Sequence, residues 1–295
     1  MAKYAVAGVT GRVGSFVAAE LLDRGEQVTV IVRDEAGGRD WMRRGAEVAR
    51  GSLNDRTFVA CTLRDAAGFF TLLPENVNPD DFHGARRRMA DAIAGAIQDA
   101  GVPHVVMLSA IAAILPDGNG PAQDLHYLEE RLRLSARRLT ILRACYLQDN
   151  VAGLLPAATQ ADIYPNFLAS ADVRIPMIAI RDIGRFAADA LMNAPHRHEV
   201  VDVLGPSYSA REVAERLGIA LNKELDVVDI PPARQSDTLT EAGVPRPIAD
   251  AVAELFAAFN AGLIAPQGDR RLVGMTTIDD VIAHYLRPSP AKRSS

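Results

Sequence analysis

The sequence predicts an α/β protein with a doubly wound parallel sheet and a smaller, mostly helical cap in its C-terminal part. Three observations lead to this fold class. Short, almost continuously apolar segments alternate with helical ones in the first half of the chain, a glycine triplet follows the first apolar segment, and the alternation stops after Asn150. Apolar strands without polar alternation are typical of parallel sheets that helices cover on both faces.

Six strands are predicted before residue 150, with helices between them. The strands are residues 3–7, 28–32, 46–49, 68–73, 105–108 and 139–142. Helices are predicted at 15–24 and at about 124–135. A further helix ends near Gly101, because Met89, Ile93 and Ile97 recur every four residues, which is the spacing of one helix face. Right-handed crossovers between parallel strands then produce a Rossmann-type domain.

The second half of the chain lacks this regular alternation. Residues 151–176 contain prolines and small residues but no long periodic element. A helix at 182–192 and a strand at 200–204 are expected to return to the main sheet. Ser209 opens a capping box and a further helix, and another helix is predicted at 247–260.

The composition excludes several classes of function. A net charge of −5 over 295 residues does not favour nucleic acid as a partner, and Arg86, Arg87 and Arg88 are expected on a solvated surface. No segment approaches the ~18 apolar residues of a membrane helix, so a membrane is not an expected partner. Cys61 and Cys145 form no CxxC pair and have no histidine at metal-ligand spacing. Neither a disulfide framework nor a metal site is expected, and a cytoplasmic protein follows.

Gly8, Gly11 and Gly14 lie three residues apart between the first strand and the first helix. In a strand–loop–helix unit with a second strand about 20 residues further on, this pattern predicts dinucleotide binding. Gly8 permits a tight turn, Gly11 lets the backbone approach a pyrophosphate, and Gly14 lets the helix pack closely on the strand. The helix N-terminus then meets the phosphates with its N–H groups and positive dipole. The alternative is a purely structural glycine turn.

Two arginines indicate which dinucleotide is bound. NAD-binding proteins usually carry an acidic residue at the end of the second strand, where it binds the ribose 2′-hydroxyl. This chain has Arg33 there and Arg12 in the loop, and a guanidinium pairs well with a 2′-phosphate. Asp34 follows, but alternation along the strand directs it elsewhere. NADP(H) is the predicted cofactor, and the alternative for Arg33 is a solvated surface charge.

These predictions divide the chain into two parts. Residues 1–150, completed by 180–205, form the predicted NADP-binding Rossmann domain. Residues 151–179 and 206–287 form a substrate-binding cap beside the carboxyl ends of the strands. The segment 288–295 is expected to be a disordered tail.

The GxxGxxG spacing and the segments VIVRD, FFTLLP, VVMLSA, HYLEERL and TILRACYLQDN resemble the NmrA-like branch of the short-chain dehydrogenase/reductase superfamily. The resemblance is greatest to NAD(P)H:quinone oxidoreductase-like members. It implies that the glycine loop contacts the phosphates, that Arg33 contacts the 2′-phosphate, and that Ser52 stands where relatives often carry an acidic residue near the adenine. It also places residues 71–74 under the adenosine ribose, and Ser109 and Ala110 near the nicotinamide ribose. The predicted cofactor-binding residues are Gly8, Thr10, Gly11, Arg12, Val13, Gly14, Arg33, Ser52, Thr71, Leu72, Leu73, Pro74, Ser109, Ala110 and His126.

The Tyr-x-x-x-Lys catalytic unit of this superfamily is absent, because no lysine lies four residues after a tyrosine. Two substitutes lie on one predicted helix: His126, where related reductases often carry a lysine or histidine, and Tyr127 with Arg131 four residues later. Neighbouring helix positions point about 100° apart, so His126 and Tyr127 cannot both face the nicotinamide. His126 is preferred, since a histidine exchanges protons near neutral pH or anchors a ribose. The alternative is an ordinary polar helix face.

Tyr146 and Asn150 follow the sixth strand and are predicted to contact the substrate, because an open α/β sheet binds ligands at its strand ends. The leading prediction is an NADPH-dependent oxidoreductase, monomeric or homodimeric, that transfers hydride to a quinone, an enone or a similar small electrophile. One alternative is a non-catalytic NADP(H)-sensing regulatory protein. Another is a modified carbonyl reductase that uses Tyr127 and Arg131. A sugar-nucleotide epimerase or dehydratase is disfavoured, since such enzymes normally need the tyrosine–lysine pair.

Overall fold

The computed structural model describes residues 1–74 and 78–287, so the predicted tail at 288–295 lies outside the described residues. The strands are β1 (Lys3–Val6), β2 (Gln27–Val32), β3 (Glu47–Arg50), β4 (Gly68–Thr71), β5 (Val105–Ala110), β6 (Leu139–Ala144), β7 (Tyr146–Leu147), β8 (Ile163–Asn166), β9 (Ile175–Ile178), β10 (Glu199–Leu204), β11 (Ser207–Tyr208), β12 (Asp226–Asp229) and β13 (Arg270–Val273). The α-helices are α1 (Arg12–Asp23), α2 (Glu35–Arg43), α3 (Arg56–Leu63), α4 (Phe82–Ala100), α5 (Ala122–Ser135), α6 (Val151–Gln160), α7 (Ile180–Met192), α8 (Ala210–Leu221), α9 (Pro232–Glu241), α10 (Arg246–Asn260) and α11 (Ile278–Leu286). Short 3₁₀ helices lie at Pro79–Asp81, Ile111–Ile114 and Gln148–Asn150.

Eight parallel strands form the main sheet in the order β13-β10-β6-β5-β4-β1-β2-β3. The chain starts in the interior of the sheet, reaches one edge through β2 and β3, and then crosses back past β1 to build the other half. The strand order therefore reverses at β1, and open α/β sheets bind ligands outside the strand ends at such a point. The predicted doubly wound parallel fold is confirmed.

Helices cover both faces of the main sheet, which explains why its strands are apolar on both sides. On one face Val6 packs in a buried cluster with Val17 of α1 and Ile183 of α7. On the other face Met107 packs in a second cluster with Leu128 of α5. Burial of each such side chain stabilises the fold by about 1.5–3 kcal/mol. Within the described part of the chain, no helix is long and apolar enough to cross a membrane.

Strands from the second half of the chain complete the sheet. β10 pairs with β6, so the strand predicted at 200–204 does return to the main sheet. β13 pairs with β10 in parallel, which corrects the prediction that 206–287 belongs entirely to the cap. The sequence of β13, RRLV, is mostly exposed at the sheet edge. This segment lacks the apolar run that identifies the interior strands in the sequence.

A smaller, mostly helical cap has a core of its own. Val151 and Ala158 of α6, Leu217 of α8 and Ile282 of α11 are buried in one cluster. Ser209 begins α8 with the predicted capping box. The cap therefore has its own packing, and the predicted combination of a main sheet with a helical cap is confirmed.

The prediction that residues 151–176 lack a long periodic element is wrong for α6, a helix of ten residues. Pro156 lies inside this helix and removes one backbone donor, so a sequence pattern with proline at this place indicates a helix end. Leu154 and Leu155 pack against the core of the cap, and this tertiary contact offsets the cost of the proline.

Candidate functional site

A cavity of about 700 Å³ opens at the carboxyl ends of the strands in the middle of the main sheet. The described residues that line this cavity range along the chain from Gly8 to Ile180, so no described residue of 181–287 contributes to its wall. The predicted cofactor-binding residues in this wall are Gly8, Thr10, Gly11, Arg12, Val13, Arg33, Ser52, Leu72, Leu73, Pro74, Ser109 and Ala110. In the described ranges, no group of three or more His, Cys, Asp or Glu side chains is arranged to hold a metal ion.

The glycine loop turns tightly and opens the N-terminus of α1 toward the cavity. Gly8 has a φ of +72°, in the left-handed region that favours glycine. Gly11 is the N-cap of α1 and has no side chain that bonds the first N–H groups of the helix, so these groups are available to an anion. A Cβ atom on Gly14 would lie 2.5 Å from the carbonyl oxygen of Ala7. Gly14 therefore serves the close packing of α1 on β1, and it is not part of the cavity wall.

Arg33 and Asp34, which follow β2, have different surroundings. Arg33 belongs to the cavity wall and is exposed, and it has no hydrogen bond or ion pair with any residue in the described ranges. Asp34 is the N-cap of α2, and its Oδ1 accepts a hydrogen bond from the backbone N–H of Gly37 at 2.8 Å. The carboxylate is thus engaged by its own helix, while the guanidinium is available to a phosphate.

Arg12 points to a different partner from the one predicted. Its Nη1 donates to the carbonyl oxygen of Asp149 at 3.1 Å, and the Asp149 side chain accepts from the hydroxyl of Tyr285 at 3.0 Å. These contacts connect the glycine loop with the segment after β7 and with α11. The guanidinium of Arg12 is therefore engaged by Asp149, whereas that of Arg33 is available to a 2′-phosphate.

Residues predicted at the adenosine end of the cofactor divide into two groups. Leu72, Leu73 and Pro74 belong to the cavity wall. Thr71, the last residue of β4, is fully buried and is not part of the wall. Ser52 does reach the wall, and its hydroxyl accepts from the backbone N–H two residues later at 3.2 Å.

Helix α5 presents Leu125 to the cavity, one residue before the predicted His126. The Nδ1 atom of His126 donates to a backbone carbonyl of the neighbouring 3₁₀ helix at 2.8 Å. The hydroxyl of Tyr127 donates to Asp91 of α4 at 2.9 Å, and Arg131 pairs with the same carboxylate at 2.9 Å. The structure brings neither His126 nor Tyr127 into the cavity wall, because each residue along a helix is rotated by about 100° from the previous one.

A buried ion pair lies one helical turn beyond Leu125. Glu129 is fully buried and accepts a hydrogen bond from the hydroxyl of Ser109 at 2.6 Å. Arg143 binds the same carboxylate with Nε at 2.9 Å and Nη2 at 2.5 Å. Leu125 lines the cavity, and Glu129, four residues later at the spacing of the Tyr-x-x-x-Lys unit, contacts the wall residue Ser109 from behind. This ion pair was not anticipated from the sequence.

The end of β6 supplies an apolar wall that includes one thiol. Ala144, Cys145 and Leu147 line the cavity there. Burial raises the pKa of the Cys145 thiol to about 12. Tyr146 and Asn150 are not part of the wall, which corrects their predicted place at the cavity. Burial raises the pKa of the Tyr146 hydroxyl, and a hydrogen bond between Tyr146 and Asn150 lowers it by less.

Arg86 contradicts the prediction of a solvated arginine run, since its exposed fraction is 1%. Its Nε donates to the buried carboxylate of Asp124 at 3.0 Å. Its two Nη atoms donate to the backbone carbonyls of Pro74 and Pro121, each at 3.2 Å. Both prolines line the cavity, so Arg86 holds together two loops of the wall. Arg88, whose side chain is 68% exposed, does lie at the surface.

An uncapped helix N-terminus behind a glycine loop and an available arginine after the second strand define a dinucleotide-binding α/β protein. The cavity at the switch point of the parallel sheet is the expected place for such a ligand. The model of the NmrA-like family matches residues 2–284, and the chain belongs to this family. The resemblance found in the sequence is thereby confirmed.

Two relatives with assigned activities match most of the chain. The chain is 28% identical over 256 residues to the NAD(P)H azoreductase of Xenophilus azovorans, with 85% of each protein covered. It is 29% identical over 255 residues to the (4-alkanoyl-5-oxo-2,5-dihydrofuran-3-yl)methyl phosphate reductase of Streptomyces griseus subsp. griseus, with 83% of each covered. Both names agree with the predicted class of reductase.

Two solved structures of similar fold were determined with the predicted cofactor. The triphenylmethane reductase of Citrobacter sp. complexed with NADP(H) has a TM-score of 0.80 at 20% identity, over 96% of this chain and 100% of that one. The NADPH-dependent quinone oxidoreductase of Escherichia coli complexed with NADPH has a TM-score of 0.76 at 20% identity, with the same coverage. At this identity the likeness is one of fold.

Proposed function

We propose that the chain is an NADPH-dependent reductase that transfers hydride to a flat, conjugated acceptor such as a quinone, an enone or an azo compound. One observation carries the proposal: among the described residues, no titratable side chain in the cavity wall donates a proton readily at neutral pH. These side chains are Arg12, Arg33, Arg86 and Cys145. Arginine is permanently charged, and the thiol of Cys145 has a pKa of about 12.

The cavity has the features that NADPH requires. The first N–H groups of α1 are open to a pyrophosphate, and Arg33 is available to a 2′-phosphate. Beyond Ser109 and Ala110 the wall becomes apolar, which suits the nicotinamide and a flat acceptor beside it. When bound, NADPH supplies the hydride. The residues of this chain hold it, orient it and exclude water.

The lack of a protein acid favours one class of acceptor over another. A hydride added to a quinone or an azo group leaves negative charge that spreads over the conjugated system, and water then supplies the proton. A simple aldehyde or ketone concentrates the charge on one oxygen, which needs a positioned donor. Leu125 offers none at the α5 position that faces the cavity.

The names of the relatives support this choice of acceptor. They describe reduction of azo compounds, of triphenylmethane dyes, of quinones and of an unsaturated lactone phosphate. A shared feature of these acceptors is an extended conjugated system. The particular acceptor of this chain is part of the proposal.

The direct test is the rate of NADPH oxidation with a panel of quinones, azo dyes, enones and simple aldehydes. We expect turnover with members of the first three groups and none above background with the aldehydes. Arg33→Ala is the matched control, since the rate at low NADPH should fall for every acceptor alike. Faster reduction of aldehydes would favour the carbonyl reductase that uses Tyr127 and Arg131. Tight NADPH binding without turnover on any acceptor would favour the NADP(H)-sensing protein.

A further inference from the structure

The hydroxyl of Ser109 lies where the cavity wall meets the buried ion pair of Glu129 and Arg143. Ser109 is near the carboxyl end of β5, is 3% exposed and belongs to the wall. Its Oγ donates to Oε1 of Glu129 at 2.6 Å. A bond from a hydroxyl to a carboxylate is charge-assisted and stronger than a bond between neutral groups.

Glu129 has no proton to offer in return. It is fully buried, and Arg143 binds both of its oxygens, Oε1 through Nε and Oε2 through Nη2. Residues 109 and 143 are register partners on the adjacent strands β5 and β6, which holds the guanidinium beside the serine. A carboxylate that accepts such a pair from a permanently charged guanidinium is an acceptor only. The hydroxyl proton of Ser109 is therefore directed at Glu129.

We propose that Glu129 and Arg143 are positioning residues that make Ser109 a hydrogen-bond acceptor toward the cavity. A serine hydroxyl has one proton and two lone pairs, and here the proton is directed away from the ligand. Ser109 then accepts from an O–H or N–H group at the nicotinamide-ribose end of the cofactor, either a ribose hydroxyl or the carboxamide. The inference rests on the proposed binding of NADPH and adds the direction of one hydrogen bond, from the cofactor to Ser109.

This polarity excludes Ser109 as a donor to the oxygen of a substrate carbonyl. Leu125, on the α5 side of the same region, has no hydrogen-bonding side chain. Together the two positions present one acceptor and one apolar surface. Such a wall binds the cofactor and a conjugated ring, but it does not protonate an alkoxide.

The first experiment compares Ser109→Ala with the wild-type protein by two separate readouts. The dissociation constant of NADPH, measured by fluorescence without a second substrate, should rise roughly tenfold. The kcat at saturating NADPH should change less than about threefold, because Ser109 gives no proton in the reaction. Ser135→Ala is the control. Ser135 ends α5, its hydroxyl donates to a backbone carbonyl, and its loss should leave NADPH binding unchanged. An unchanged dissociation constant for Ser109→Ala, or a kcat reduced about a hundredfold with unchanged binding, would overturn the proposal.

The second experiment tests whether the carboxylate sets the polarity of Ser109. Glu129→Gln turns an amide N–H group toward the donors of Ser109 and Arg143, where the carboxylate only accepted, so it should weaken NADPH binding about as much as Ser109→Ala does. The double variant should bind no more weakly than either single variant, because both changes remove the same contact. Additive losses would overturn the proposal. Glu129→Asp retains the charge for Arg143 but withdraws it from Ser109, and the same result is expected if the amide variant does not fold.

A third measurement identifies the donor on the cofactor. The 3-acetylpyridine analogue of NADPH has a methyl group in place of the carboxamide nitrogen. If Ser109→Ala weakens NADPH but not the analogue, the carboxamide donates; if it weakens both equally, a ribose hydroxyl donates. Either result supports the acceptor role, and unchanged binding of both ligands overturns it. These binding constants need no turnover, so they stay decisive even if no acceptor of the proposed class is reduced.

Discussion

At the scale of single residues, two neighbouring charges predict which cofactor binds. The carboxylate of Asp34 caps α2 and is not available to a ribose 2′-hydroxyl. The guanidinium of Arg33, one position earlier, lies in the cavity wall without a partner among the described residues. Exchange of these two roles would reverse the preference between NADPH and NADH.

We therefore expect Arg33→Ala to weaken NADPH binding by roughly 10- to 100-fold, the range for loss of a charge-assisted contact. The affinity for NADH should stay within about twofold, since NADH lacks the 2′-phosphate. Titration of both cofactors against both proteins measures this. Arg88→Ala removes an exposed arginine outside the cavity and is the control for charge alone. Equal losses for both cofactors would contradict the assignment.

A second prediction concerns the two side chains of α5 that the sequence favoured for catalysis. His126 and Tyr127 are bonded outside the cavity wall, so His126→Ala and Tyr127→Phe should each leave kcat within about threefold of wild type. Leu125→Ala shortens a side chain of the wall and enlarges the cavity, so it should raise the KM of the acceptor instead. Steady-state rates with one quinone compare the three variants. A loss of about 10²-fold in His126→Ala would restore that residue as a catalytic acid.

Most of the cofactor-binding residues predicted from the sequence do line the cavity, whereas the catalytic residues predicted on α5 lie outside its wall. Loop residues such as Thr10 and Val13 are found because a glycine pattern fixes both their conformation and their location. A helix residue is found only if the rotational phase of the helix is known. An error of one residue, from Leu125 to His126, turns the side chain by about 100°. Glu129 was missed because a buried glutamate has no sequence signature separate from that of a solvated one.

At the scale of elements, Arg86 joins the N-terminal part of α4 to two loops of the cavity wall, one after β4 and one before α5. Replacement by Leu removes the buried guanidinium from Asp124, which keeps its contacts with His83 and Arg87, and loss of one member of a buried pair costs about 3–5 kcal/mol. We expect Arg86→Leu to lower the free energy of unfolding by about 3 kcal/mol. Arg88→Leu, two residues later, removes an exposed ion pair and should cost less than about 1 kcal/mol. Urea unfolding of both variants tests this, and equal effects would contradict the role of Arg86.

Elements were predictable where local signals agree with the tertiary fold. The capping box of Ser209 begins α8, and α4 ends at Gly101 in the left-handed conformation. The helix α6 and the edge strand β13 were missed for opposite reasons. A proline masks α6, whose stability comes from contacts with the cap, and β13 has the composition of a loop but pairs with a preformed sheet edge.

At the scale of the whole molecule, the buried histidine His104 predicts how stability depends on pH. Its Nε2 contacts Thr140 between β5 and β6, and burial lowers its pKa from 6.5 to about 4. The unfolded chain therefore binds a proton more readily than the folded one below pH 6.5. Stability is unaffected by this group above that pH and decreases as the pH falls toward 4.

We expect the wild-type protein to lose about 2 kcal/mol of unfolding free energy through His104 between pH 7 and pH 5. His104→Gln retains a donor for Thr140 but cannot titrate, so its loss over the same interval should be smaller by that amount. Urea denaturation of both proteins at the two pH values gives the comparison. Parallel pH profiles would show that His104 does not contribute.

The overall architecture was the most predictable property of the molecule. A parallel sheet covered on both faces produces near-continuous apolar strands, and the strand order then predicts where a ligand binds. The C-terminal cap was less predictable, since its short strands and exposed helices pair with surfaces built by distant parts of the chain. Its predicted contribution to substrate binding has no counterpart in the described cavity wall.

The thiol of Cys145 has a consequence for the working lifetime of such an enzyme. Quinones and enones alkylate cysteines by conjugate addition, and the thiolate is the species that attacks. With a pKa of about 12, only about one Cys145 side chain in 10⁵ is ionised at neutral pH. We therefore expect an electrophile held against this wall to meet a weak nucleophile, and covalent inactivation through Cys145 to be slow.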